Sequence, residues 1–256
     1  MEGSKLRKGF SFFPWTLAGV GFLLLVWELA ARIYGTGLIL PGPLPVLTSL
    51  AGLIQTPRFL NALVDSFIRV LAGILVSVPL GIAAGIAAGL DKRAAAFLKP
   101  AFSVISATPV MSVILIAFLI FGSDRTPVFT AFLMVFPVMS ANVIEGINST
   151  DAKLKELFVS FRMSRKETLR YLYIPSLLPF ILGGLRSSLS LCWKVVVAAE
   201  VMVQPLRSLG TGMQWAKAQL ETPELFAWTA ATVIAAASTQ GILSIALKRL
   251  GRSWKK

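Results

Sequence analysis

The sequence predicts an all-α integral membrane protein with six transmembrane helices, residues 1–256 forming one membrane domain. Three observations predict it. Hydrophobic residues make up 55% of the chain and charged residues 14%, well below the charged share of about a quarter in soluble domains. Several apolar runs reach the ~20 residues that a helix needs to cross a bilayer. The lysines and arginines collect in every second connection between those runs.

The first span, about 12–33, draws on Phe10–Ala31, broken only by Glu28. Its basic start and Leu29-Ala30-Ala31 look like a secretion signal, but the apolar run is longer than the core of one. An anchored span is therefore expected. Leu38–Pro45, LILPGPLP, reads as a Pro/Gly-rich turn that is not helical throughout. The second span, about 66–90, carries Gly81, Gly85 and Gly89 at four-residue spacing on one helix face. In lipid such a face lets helix backbones approach, within the subunit or across a dimer seam; lining a solute path is the other reading.

Spans three to six are expected at about 99–122, 126–146, 175–203 and 225–247. Pro79, Pro109 and Pro137 fall inside predicted spans and should kink them. The fifth span is chemically unusual, because Arg186, Lys194 and Glu200 interrupt it. A buried charge costs a few kcal/mol in the membrane, so it faces a cavity or a partner. At 100° per residue, Arg186 and Glu200 project about 40° apart on one side of a straight helix. A polar strip able to attract an anion, and ion pairing or an outward-snorkelling Lys194, both fit.

Seventeen Lys and Arg lie before span one, between spans two and three, between four and five, and after six; five lie on the other side. Both termini are therefore expected in the cytoplasm. The net charge of +13 needs only anionic lipid and a soluble partner, not nucleic acid. Cys192 is the single cysteine and histidine is absent, which leaves no disulfide, no metal-site pattern and no Ser–His catalysis.

The loop at 148–172 is the most informative stretch. Within it Leu154, Leu157, Phe158 and Phe161 stand at i, i+3, i+4 and i+7 and form one apolar stripe, with Lys153, Lys155, Glu156 and Ser160 opposite. Asp151 or Thr150 can cap this helix, a turn follows at Arg162–Ser164, and Ser164-Arg165-Lys166-Glu167 is a capping box that opens a second helix leading to Pro175. An interfacial helix lying on lipid and a docking helix both suit the pattern.

The spacing of Glu156, Arg162, Leu172, Ile174 and Pro175 resembles the EAA loop of ABC importer permeases, Glu-Ala-Ala-x3-Gly-x9-Ile-x-Leu-Pro. LILPGPLP resembles the "LPSP" element of the sulfonate/taurine/nitrate branch, and Asn61–Gly73 its "SLxRVLxGF". Pro175 with Pro179 matches "LPxxLP", and Gly184-Leu185-Arg186, Trp193 and Ala199-Glu200 match "GxR … W … AE". Departures are Leu157 and Phe158 at the alanines, Arg162 at the glycine, and Lys194. A glycine at 162 would be a left-handed cap, so the turn is open to being built otherwise.

The resemblance implies a type I ABC importer permease fold in the bacterial inner membrane, with cytoplasmic coupling helices. Leu154, Glu156, Leu157, Phe158, Phe161, Arg162, Ser164 and Pro175 would serve ATPase coupling, and Arg186, Trp193, Lys194 and Glu200 border the path. It further implies two ATP-binding cassette subunits, a second permease copy or paralogue, an extracytoplasmic solute-binding protein, and a small solute: a sulfonate, taurine, nitrate, a similar anion or a vitamin precursor. No cofactor is expected on this chain; ATP belongs to the partner, since no GxxxxGK[ST] phosphate loop occurs here. A channel not driven by ATP is the alternative from another class.

Overall fold

Long apolar runs with few helix breakers dictate an architecture in which backbone polar groups are satisfied within each segment. The structure, a computed structural model, describes residues 3–35 and 39–253, and these are helical with short connections. In order they form α1 (Gly3–Tyr34), α2 (Pro43–Ile54), α3 (Pro57–Leu90), α4 (Lys92–Ala107), α5 (Val110–Asn148), α6 (Ala152–Ser160), α7 (Arg165–Thr168), a π-helical turn (Leu169–Tyr173), α8 (Ile174–Val203), α9 (Leu209–Ala218) and α10 (Thr222–Ser253). Leu38, Lys255 and Lys256 lie outside the described residues, as do the side chains of Lys5, Arg7, Lys8, Lys248, Arg249 and Arg252.

Five helices among the described residues are long and apolar enough to cross a membrane: Trp15–Tyr34, Pro57–Leu90, Val110–Asn148, Lys166–Val203 and Thr222–Leu247. The difference from six arises around the third and fourth predicted spans. Pro109 does not kink a helix from inside; it caps one. It cannot donate a hydrogen bond and drives Thr108 to an extended ψ of 127°, so α4 ends after sixteen residues and α5 begins at Val110. Within α5, Gly122 has φ 71° and ψ −178°, a conformation essentially reserved for glycine, and divides it into 110–121 and 123–148. Phe121 meets Phe129 at 4.7 Å, and Phe102 of α4 meets Phe136 at 5.5 Å.

The second helix starts earlier than predicted, at Pro57, and the Pro/Gly turn gives way to α2, which Pro43 opens at a first-turn position that needs no N–H. The chain divides into two compact units, Met1–Phe59 with Gly212–Ala231, and Leu60–Thr211 with Thr232–Lys256. In the first, the indole N–H of Trp27 donates to the Pro41 carbonyl at 3.0 Å, and Trp27 stacks on Phe226 with centroids 6.2 Å apart. Phe59 packs on Trp228 at 5.2 Å.

In the second unit the glycine face of α3 lies on 123–148. Gly81 faces Met139, Gly85 faces Val143 and Gly89 faces Ile147, so numbers rise together and the two helices run parallel. The predicted packing face thus works within the subunit. Met139, Val143 and Ile147 close the core with Leu177 of α8. Gly146 faces Leu177 and Phe180 while Gly184 faces Met139 and Asn142, so α8 runs antiparallel to this stretch.

A Cβ on Gly85 would stand 2.6 Å from the Val143 Cβ and 2.8 Å from the Ser140 carbonyl oxygen, with backbone unable to retreat. Gly85→Val should therefore cost more than the ~1–3 kcal/mol of ordinary overpacking. Thermal unfolding in detergent should show a clear fall in Tm for Gly85→Val and almost none for Gly241→Ala, whose surroundings within 4 Å are open. Equal Tm values would refute the close approach.

Candidate functional site

The loop helix is built by its ends. The Asp151 carboxylate accepts from the Lys153 N–H at 2.9 Å and caps α6, whereas the Thr150 hydroxyl turns back to the Gly146 carbonyl at 3.1 Å. At the other end Met163 N–H donates to Phe158 O at 3.1 Å and Arg162 N–H to Val159 O at 2.9 Å, with Arg162 at φ 51°. This is a left-handed Schellman stop. The turn expected to be rebuilt in the absence of glycine keeps the glycine geometry, at about 1–2 kcal/mol for a residue with a Cβ. The capping box is formed: Ser164 N–H donates to Glu167 Oε2 at 2.8 Å and Glu167 N–H to Ser164 Oγ at 3.3 Å. Beyond it the chain does not break at Pro175. A π turn at Leu169–Tyr173, with Ile174 N–H donating to Leu169 O, lets the helix run on through the proline.

No residue of α6 is buried. Leu154 and Leu157 are exposed, Phe158 is half-buried, and Val159 and Phe161 are 76% and 72% exposed. The Glu156 carboxylate makes no ion pair among the described residues. Nine residues with an outward apolar stripe would not persist as an isolated helix in water. Caps hold α6 and leave its apolar and acidic groups free for another surface.

The four residues of the predicted polar strip are not brought together. Trp193 is buried, and its indole N–H donates to the Thr239 hydroxyl of α10 at 3.0 Å. Arg186 and Lys194 are exposed and have no hydrogen-bond or ion-pair partner among the described residues. Glu200 is fully buried. Its carboxylate accepts from the Ser66 hydroxyl at 2.8 Å, from Arg69 Nη1 at 3.1 Å and from the Gly210 N–H at 3.3 Å. Ser66 Oγ in turn accepts the Leu209 N–H at 3.0 Å. Arg69 extends the network through Nη1 to the Arg207 carbonyl at 2.9 Å and through Nη2 to Asp124 at 3.3 Å.

Backbone geometry delivers these donors. Gln204, at φ 47°, ends α8 and turns the chain back; Ser208 and Thr211 then fix the start of α9, the Thr211 N–H donating to Ser208 Oγ at 3.0 Å. The positive end of α9 thereby faces the carboxylate. A side chain on Gly210 would collide with the Val201 nitrogen and the Glu200 Cβ. Sequence reasoning placed Ser66 and Arg69 in the entry to the second span without assigning them a partner. Their i, i+3 spacing on one face was the available signal, since a membrane-buried Glu200 requires a cation and donors from a neighbouring helix.

Removing one partner of a buried pair costs about 3–5 kcal/mol because the other charge stays unpaired. Arg69→Met should thus lower Tm sharply and reduce membrane yield. Asp124→Asn, at the exposed end of the network, should shift stability by less than about 1 kcal/mol. Thermal unfolding of both variants checks this, and similar losses from the two would disprove the hierarchy.

The family described as "Binding-protein-dependent transport system inner membrane component" matches residues 77–256, which holds α4 to α10 and the C-terminal part of α3. A probable ABC transporter permease protein of Brucella melitensis biotype 1 is 28% identical over 240 residues, covering 91% of this chain and 94% of that protein. The taurine transport system permease protein of Escherichia coli strain K12 is 28% identical over 244 residues, covering 93% of this chain and 87% of its own length. In fold, the chain is similar to the crystal structure of an amino acid ABC transporter with histidines, at TM-score 0.65 and 16% identity, with 78% of this chain and 97% of that one covered. With a family match over most of its length, the chain belongs to the binding-protein-dependent transport system inner membrane components, and it is a permease subunit of an ABC importer.

Proposed function

We propose that the protein works as one transmembrane permease domain of six crossings, paired with a second permease copy or paralogue and served by two ATP-binding cassette subunits and an extracytoplasmic binding protein. Support for six crossings comes from direction. Helix α3 and residues 123–148 run parallel, so the chain returns between them. The returning stretch is α4 with 110–121, interrupted at Thr108–Pro109. Arg125 and Arg207 then share the outer end, while Lys92, Arg93 and the α6 loop share the inner one, in keeping with cytoplasmic termini.

The exposed stripe of α6 is the observation that carries the coupling role. Leu154, Leu157, Phe158 and Phe161 enter a groove of the ATPase, and Glu156 meets a donor at its rim. Closure of the ATPases on ATP draws α6, and the Ser164 box and the π turn ahead of Pro175 pass that motion into α8. ATP binds to the partner alone. The solute is a small anion such as a sulfonate, a reading supported by the taurine permease relative and by the unpaired Arg186 and Lys194 on the outside of α8.

Two measurements test this. Glu156→Lys and Phe158→Asp should each reduce binding-protein-stimulated ATP hydrolysis of the assembled complex at least tenfold while Tm stays within a few degrees, since no residue of α6 is buried; an order of magnitude corresponds to ~1.4 kcal/mol. Normal co-purification and uptake in both variants would remove α6 from the interface. Topology is read from single cysteines. Lys166→Cys should react from the cytoplasm and Leu206→Cys, at a site 88% exposed, from outside; the reverse pattern would overturn the orientation. Solute flux in sealed vesicles without ATP or binding protein would instead identify a channel.

A further inference from the structure

An open groove of about 450 Å3 runs along α4, with Lys99, Phe102, Ser103 and Ser106 on one side and Ala88 of α3 and Ile144 of α5 on the other. Lys99, Ser103 and Ser106 stand at i, i+4 and i+7, within about 60° of each other in projection. Phe97 and Val104, 82% and 66% exposed, occupy the opposite face. Helix α4 therefore has an apolar outer surface and, toward the groove, a cation and two hydroxyls set among apolar side chains, along a stretch predicted to lie in the membrane.

The hydroxyls of this groove differ from others in the chain. Ser77, Thr126, Thr130, Ser140 and Ser176 each donate to the carbonyl four residues back, which satisfies a hydroxyl inside a membrane helix. Thr108, just beyond the groove, does the same to Val104 at 2.7 Å. Ser103 and Ser106 have no such bond, and Lys99 has no acidic partner among the described residues. Two free hydroxyl donors and a cation line a space into which no carboxylate projects. In hydrocarbon these groups would be costly, whereas a hydrated cavity or an anionic ligand satisfies them.

We propose that this groove is the cytoplasmic half of the solute path and that Lys99, Ser103 and Ser106 bind the oxygen-bearing head of a small organic anion. Phe102, Ala88 and Ile144 contact the apolar remainder of the solute. The break at Thr108–Pro109 ends the polar face where the path would reach its outer half. This assignment rests on the importer reading and on the cytoplasmic placement of Lys99.

Cys192 is buried, so introduced cysteines report against a quiet background. Ser103→Cys, Ser106→Cys and Val104→Cys are made in the full complex and treated, in inverted membrane vesicles, with the anionic reagent sulfonatoethyl methanethiosulfonate. The two groove cysteines should react at least about tenfold faster than Cys at 104, because a lipid-facing thiol scarcely ionises. Adding Lys99→Met should slow the anionic reagent at 103 and spare the cationic trimethylammonium one, since only the first is drawn by the lysine. In uptake assays Ser103→Ala/Ser106→Ala should lower the transport rate roughly tenfold, as expected for lost hydrogen bonds to a charged group, while Val104→Ala on the opposite face should leave it within twofold. Equal labelling at 103 and 104, an unchanged reagent preference on removing Lys99, or unchanged uptake in the double variant would each overturn the groove assignment. Failure of the importer reading would look different, as wild-type uptake independent of ATP.

Discussion

The second compact unit depends on how one buried carboxylate is satisfied. Glu200 sits near the end of α8 with no exposed surface, and an ion of that kind loses several kcal/mol of hydration on burial. Its position is tenable only because two segments converge on it: Ser66 and Arg69 from α3, and the Gly210 N–H from the start of α9, which the Ser66 oxygen secures through Leu209. Much else follows from that convergence. Gln204 must turn left-handed to bring α9 back, residue 210 must lack a Cβ, and Arg69 must lie across the helix ends, where its second nitrogen reaches Asp124 beside the Gly122 turn. Breaking the contacts from Ser66, Arg69 or Gly210 to Glu200 leaves a buried charge short of a donor in a place where water cannot replace it.

Away from that polar knot, close backbone approach organises the helices. Lipid is as apolar as leucine, so burial alone provides little force between membrane helices, and dispersion over a close contact must do it. Gly81, Gly85 and Gly89 bring α3 onto Met139, Val143 and Ile147, and Gly146 and Gly184 bring α8 onto the same stretch. The helix made of residues 123–148 is thus clasped from two sides. The preceding segments, α4 and 110–121, are the interrupted ones, with a proline break and a glycine reversal in place of continuous hydrogen bonding. Irregular backbone in a membrane protein belongs beside protein or a cavity, which agrees with the open groove along α4.

The loop helix shows a different economy. Its hydrogen bonds are complete at both ends although none of its side chains is buried, so its shape is set before any partner arrives. Preformed caps reduce the ordering that docking would otherwise require. Holding Arg162 at φ 51° keeps the turn that a glycine would give, and it positions Ser164 to cap the helix that continues into α8. Leu157 and Phe158, larger than the alanines of the resembled motif, make this surface more apolar.

Composition, charge distribution and residue spacing determined the all-helical membrane class, the capped loop helix and the glycine face, because the last two depend on neighbours a few residues away along one helix. Asp151 and the Ser164–Glu167 box formed as their spacing required. Tertiary structure decided what a single helix cannot encode. The 40° projection relating Arg186 to Glu200 describes one helix axis, and whether either side chain is solvated depends on which neighbours cover that side; packing buried Glu200 against α3 and left Arg186 outside. Likewise Ser66, Arg69 and Gly210 are separated from Glu200 by up to 134 positions, and only antiparallel packing of α3 and α8 brings them together. The breaks at Pro109 and Gly122 also belong to tertiary structure, since a proline can kink or cap and a glycine can continue or reverse a helix.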